Sequence, residues 1–108
     1  MVSEGRRRGL PLSRIAELIC ANPAKRYGLH TKGDIAEGLD ADIALVDPNV
    51  SWVVRAEESL SSQEYTPFEG FELTARVTDT FVRGNHVFSN GKMLGQPVGR
   101  FIKRPVKA

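Results

Sequence analysis

The side chains that could do chemistry in this sequence are few and scattered. The two histidines, His30 and His86, stand 56 positions apart, and the single cysteine is Cys20. A catalyst needs a nucleophile beside a base, or histidines and carboxylates at ligand spacing, and neither pattern occurs. His30 follows a glycine suited to ending a helix and His86 adjoins a turn, so surface or turn roles are expected for both. Cys20 lies next to Ile19 with no adjacent histidine and no CxxC partner, which predicts a buried, inert thiol. Asp40 and Asp42 flank Ala41 like the start of a calcium loop, but the third acidic position, the glycine and the distal glutamate are missing. These carboxylates are expected to accept backbone N–H bonds in the turn entering the next strand. Gly33, Gly38, Gly84 and Gly91 are spaced as turn residues, and no GxGxxG or GxxxxGK segment is there to cradle phosphate. Arg6, Arg7 and Arg8 form the only dense basic cluster, without an interleaved aromatic to stack a base, so a solvated helix approach is expected and nucleic acid is not. No catalytic, cofactor-binding or metal-ligating residue is assigned.

The elements that would position these groups are bounded by size. A chain of 108 residues, 41% hydrophobic and 26% charged, fits one small domain or a piece of a larger one and is too short for a complete barrel enzyme. A net charge of +2 does not call for nucleic acid or an anionic membrane. The charge is segregated along the chain, however. Residues 1–33 sum to +5, residues 34–79 to −9 and residues 80–108 to +6. Acidic and basic surfaces can therefore lie side by side in the fold or against other parts of a larger protein. No run approaches the roughly 20 apolar residues of a membrane span, and the start lacks the apolar centre of a secretory signal. One cysteine excludes an internal disulfide, so a soluble, cytoplasmic protein is expected.

Leu12, Ile15, Leu18 and Ile19 recur at helical spacing, which predicts a helix over 13–21 with Ser13 as its cap. Asn22-Pro23 is expected to restart a second short helix, with Asn22 capping it and Gly28 closing it in a left-handed conformation. The unbroken apolar run 43–46 predicts a strand covered on both faces. Residues 51–55 alternate like a strand near an edge, after a turn at Asp47-Pro48-Asn49. Five glutamates and little periodicity make 56–74 a long loop. Residues 77–83 are rich in strand formers, Gly84-Asn85 reads as a two-residue hairpin corner, and Asn90-Gly91 repeats that signal before a third strand ending near Met93 or Leu94. The fold class is α+β, with short N-terminal helices followed by antiparallel-rich strands. Residues 1–30 form a helical segment, 31–95 a β segment with the long loop, and 96–108 a basic C-terminal arm.

Asn22-Pro23-Ala24-Lys25, Gly28-Leu29, Lys32-Gly33-Asp34-Ile35, Gly38, Asp40-Ala41-Asp42 and Asp47-Pro48 together resemble the carboxyl-terminal signature of the amidohydrolase superfamily. Thr66-Pro67-Phe68-Glu69-Gly70, Ala75-Arg76-Val77 and Thr80-Phe81-Val82-Arg83-Gly84 are similar to the cyclic amidohydrolases: dihydroorotases, hydantoinases and allantoinases. The likeness runs over about residues 5–104 and corresponds to the final quarter of such an enzyme.

The resemblance implies a parent with a (β/α)₈ barrel and a small β-sandwich assembled from both chain ends. Residues 42–55 and 77–94 would belong to that sandwich, and residues 13–28 would pack outside the barrel. It also implies divalent metal, usually zinc, held by an HxH pair, a carboxylated lysine, two further histidines and an aspartate, which activates water against a ring amide carbon. No position here matches those ligands, so none is carried over, and the isolated 108 residues are expected to be inactive. The implied role is structural, with the parent's barrel and its N-terminal sandwich strands as partners. A homo-oligomer is expected, and neither nucleic acid nor a membrane is. A non-catalytic scaffold or interaction module related to the amidohydrolases is the alternative, and a free-standing β-rich protein with its own ligand is a third reading.

Overall fold

The computed structural model describes residues 1–103, so the end of the basic arm, 104–108, lies outside the described residues. The first element is α1, Val2–Arg7, which contains the three-arginine run's first two members. Its end is built by backbone geometry. Gly9 has φ +86°, its N–H reaches Arg6 O at 3.0 Å, and Leu10 N–H reaches Gly5 O at 2.9 Å. These two bonds satisfy carbonyls that the helix leaves free.

The second helical stretch differs from the expected break at Asn22. α2, Leu12–Ala16, passes through a π-helical turn, Glu17–Ala21, into α3, Asn22–Arg26, with Asn22 itself helical at φ −65° and ψ −47°. Asn22 caps nothing. Pro23 has no N–H to give the preceding turn and crowds the carbonyl four residues back, and a wider turn just before it relieves that crowding. Gly28 closes the stretch at φ +70°, with Gly28 N–H to Lys25 O at 3.3 Å and Leu29 N–H to Ala24 O at 2.9 Å.

The strands form two antiparallel sheets. Four strands order as β1 (Ile43–Asp47), β4 (Arg76–Val82), β5 (Asn85–Ser89) and β6 (Lys92–Met93), while β2 (Trp52–Val53) pairs separately with β3 (Glu72–Leu73). The region 56–74 thus carries a 3₁₀ turn, Ala56–Glu58, and the strand β3. Val82 pairs with Asn85, so the β4–β5 corner is Arg83-Gly84, one residue earlier than expected. Arg83 takes φ +46° and Gly84 φ +80°, the two left-handed positions of a tight hairpin. Asn90-Gly91 is a corner as expected, at φ +47° and +85° between paired Ser89 and Lys92.

Little of this is enclosed. The buried hydrophobic residues are Ile15, Ala24 and Ala75, while Ala44, Leu45 and Val46 are exposed, so the strand expected to be covered on both faces is open here. Cys20 is also exposed, not buried. The chain presents 8661 Å² to solvent, whereas a monomer of 11.9 kDa typically presents about 5,900 Å². Its radius of gyration of 15.6 Å likewise exceeds the roughly 13 Å of a self-contained domain this long.

Candidate functional site

The signature residues meet where the helices turn into the sheet. Gly33 has φ +97°, and a Cβ there would lie 2.5 Å from the Ala24 Cβ and 3.0 Å from the Cys20 carbonyl oxygen. Only glycine fits both the dihedral and the gap. This contact lays the chain against α3 and points Lys32 toward the entry to β1. Lys32 Nζ lies 2.9 Å from Asp40 Oδ2 and is also hydrogen-bonded to Asp42 Oδ2. Asp42 Oδ1 then accepts the Arg83 backbone N–H at 2.8 Å, tying the β4–β5 corner to the same cluster. The expected local turn bonds are replaced by bonds to a lysine ten residues earlier and to an amide 41 residues later.

The electrostatics follow from that geometry. The Asp42 and Asp40 carboxylates push the Lys32 ammonium above its ordinary pKa. Lys32 in turn holds both acids below theirs, helped at Asp42 by the Arg83 amide and at Asp40 by the Thr31 hydroxyl. A lysine held charged by two acids is a poor base or nucleophile, and acids held ionised are poor proton donors at neutral pH. Chemically the cluster is a clip that fixes chain positions.

A second pairing lies on the sheet. His86 Nε2 is 2.9 Å from Asp79 Oδ1, and its ring stacks on Phe81, its cross-strand neighbour, at 4.5 Å between centroids. The Thr78 and Ser89 hydroxyls and His86 hold Asp79 below the usual carboxylate range. The His86 contacts link β5 to β4, while the Thr78 hydroxyl also donates to Leu45 O on β1 at 3.3 Å. His30 is exposed on the loop after α3. Among the described residues no three His, Cys, Asp or Glu side chains gather where they could hold a metal ion, so this chain's residues do not fit the metal centre the resemblance implies.

The third feature is an open cleft of about 870 Å³ between α1 and the β2–β3 pair. Trp52, Val54, Phe68, Phe71 and Leu73 give it an apolar wall, with Glu4, Arg6 and Arg7 opposite. Arg6 donates to the Pro48 carbonyl at 2.5 Å, and the Ser3 hydroxyl accepts the Thr74 N–H at 3.0 Å, so α1 is tied to the strands across the cleft. Glu4, bonded to Arg7 and Arg8, has its pKa lowered to about 2. The Trp52 indole N–H donates to Ala75 O at 2.8 Å while the Arg76 guanidinium lies 4.6 Å above the ring. Sequence reasoning missed Arg6 as an anchor to Pro48 and Trp52 as the ring that meets Ala75 O and Arg76. The alternating pattern of residues 51–55 gave a signal only for Trp52.

The Amidohydrolase family model matches residues 1–87. The chain belongs to that family. Among curated relatives, an allantoinase from Rubrobacter xylanophilus is 45% identical over 89% of this chain and 21% of its own length. A dihydroorotase from Methanothermobacter thermautotrophicus is 41% identical over 94% of this chain and 23% of its own. Among solved structures, a D-hydantoinase superposes over 95% of this chain and 23% of its own, with a TM-score of 0.89 at 33% identity. The chain therefore spans between a fifth and a quarter of the length of these relatives.

Proposed function

We propose that this chain is the structural, non-catalytic C-terminal portion of a metal-dependent hydrolase of C–N bonds in cyclic amides, of the allantoinase, hydantoinase and dihydroorotase kind. The observation that carries the reading is the surplus surface. Roughly 2,700 Å² more than a monomer of this mass exposes is the size of an obligate interface. In this reading the open sheet completes a β-sandwich with strands from elsewhere in the parent. The helices lean on a barrel whose residues hold the divalent metal, zinc, and activate water there. The unpaired Cys20 supports a cytoplasmic setting. No described helix is long and apolar enough to cross a membrane.

The role of these residues is to hold that surface in shape. The Lys32 clip fixes the crossing from helix to sheet, Gly33 sets its depth, and the His86 pair sets the strand register. Open apolar faces also favour association of copies, so a homo-oligomer belongs to the same reading.

The experiment is a chimera in which this chain replaces the matched segment of the Rubrobacter xylanophilus allantoinase. The expected result is a folded, zinc-loaded chimera that opens the allantoin ring, while the chain alone does not and shows a light-scattering mass rising with concentration. Ring opening by the 108 residues alone overturns the structural role. A chimera that fails to fold while the unaltered allantoinase folds overturns the placement.

A further inference from the structure

The four asparagines occupy different chemical settings. Asn22 precedes Pro23, which has no amide N–H, and Asn49 precedes the branched Val50. Asn85 donates its side-chain N–H to Val82 O at 3.1 Å and precedes His86 in a paired strand. Asn90 alone precedes glycine, and both residues of that corner are exposed. Among the described residues, neither the Asn90 carboxamide nor the Gly91 N–H has a hydrogen-bond partner. An unhindered backbone nitrogen thus follows an unrestrained amide, the arrangement needed for intramolecular attack.

We propose that Asn90 is a site of spontaneous deamidation and that the isoaspartyl product unhooks β6 from the sheet. In the first step the Gly91 amide gives its proton to solvent base, and its nitrogen forms a bond to the Asn90 Cγ. The Cγ–Nδ2 bond breaks and ammonia leaves with a proton from water, closing a succinimide. Water then adds at one of the two ring carbonyls. Opening at one returns aspartate, and opening at the other routes the backbone through the side chain as isoaspartate, with a free carboxylate in each case.

The fold sets when this happens. Asn90 sits in the left-handed well at φ +47°, where ψ is about +47°, and ring closure needs ψ to turn out of that well so that the Gly91 nitrogen approaches Cγ. The corner must therefore open first, and opening is local because β6 is two residues long, Lys92–Met93, at the edge of its sheet. Isoaspartate adds a methylene to the backbone between Ser89 and Lys92, which a two-residue corner cannot absorb while keeping their pairing. The Leu94 N–H bond to Val87 O, 2.8 Å, lies just beyond and is lost with it.

The test is peptide mass spectrometry on the full chain aged in mildly alkaline buffer, with a denatured sample alongside. The expected result is the amide-to-acid mass gain on the Asn90 peptide, as two chromatographically distinct isomers, while the Asn22, Asn49 and Asn85 peptides stay unchanged. An Asn90 peptide that stays intact while the denatured sample converts overturns the proposal. Hydrogen exchange then separates backbone from charge: Leu94 N–H protection should be lost in the isoaspartyl fraction and kept in Asn90→Asp. Retained protection in the isoaspartyl fraction overturns the unhooking.

Discussion

Ile15 in the helical part is 2% exposed and lies so near Gly5 that a Cβ there would come within 2.9 Å of its Cδ1. Leu45 and Val77, on the paired strands β1 and β4, are 47% and 42% exposed. Both sets are aliphatic residues in regular structure, yet one is finished and the other is open. The helical part buries Ile15 and Ala24, and Gly33 packs against Ala24 beside the Lys32 pairs. The sheet pairs its strands but leaves Leu45, Val46 and Val77 exposed. Residues that look like chemistry in a sequence can thus be internal fasteners, and a stripe that looks like core can be an interface.

That contrast can be broken most forcefully by truncating both sets. Ile15→Ala should cost about 3 kcal/mol in urea denaturation, while Leu45→Ala in the isolated chain should stay within about 0.5 kcal/mol. Equal losses would mean that the sheet is already closed. A finer cut compares two glycines of the signature. Gly33→Ala meets Ala24 and a positive φ together and should cost about 2 kcal/mol or more, measured the same way. Gly38→Ala has the positive φ of +85° but nothing within 4 Å, and should cost about 1 kcal/mol.

The smallest effect is expected at the ionic clip and is read through pH. Asp40 and Asp42 are held below their unfolded pKa of about 3.9, so their contribution is present above that value and lost as pH falls through the lowered native pKa. Lys32 is held above its unfolded value of about 10.4, so its contribution is present below it and lost as pH rises through the raised native pKa. Lys32→Met should therefore melt below wild type by a steady margin across the neutral range, and the margin should close at both extremes. A margin independent of pH would show that Lys32 acts by packing alone.

Much of the architecture was legible because local rules agreed with the fold. The 3.6-residue spacing from Leu12 to Ile19 gave the helix, Gly28 its end, and Asn90-Gly91 a corner. What stayed hidden needed partners far along the chain. The β4–β5 corner slipped by one because Arg83, a residue without intrinsic preference for positive φ, holds that conformation while Asp42 accepts its amide. β3 hid in a glutamate-rich stretch since its pairing with Trp52 and Val53 crosses about 20 residues. Cys20 read as buried because its neighbours are apolar, and exposure depends on what lies across from a helix face. The clip was visible as residue types and not as a contact, for Lys32 and Asp42 are brought together by the turn at Gly33.

The long reach from Asp42 to Arg83 also sets an order of events on the ribosome. The helices and the Lys32 pairs with Asp40 and Asp42 can form once Asp42 has left the exit tunnel, but the Arg83 bond to Asp42 and the pairing of β1 within this chain wait until residues 76–83 have been made. For the interval in between, an apolar edge strand waits without a partner, which is when capture by a chaperone or by another nascent copy competes most strongly with folding.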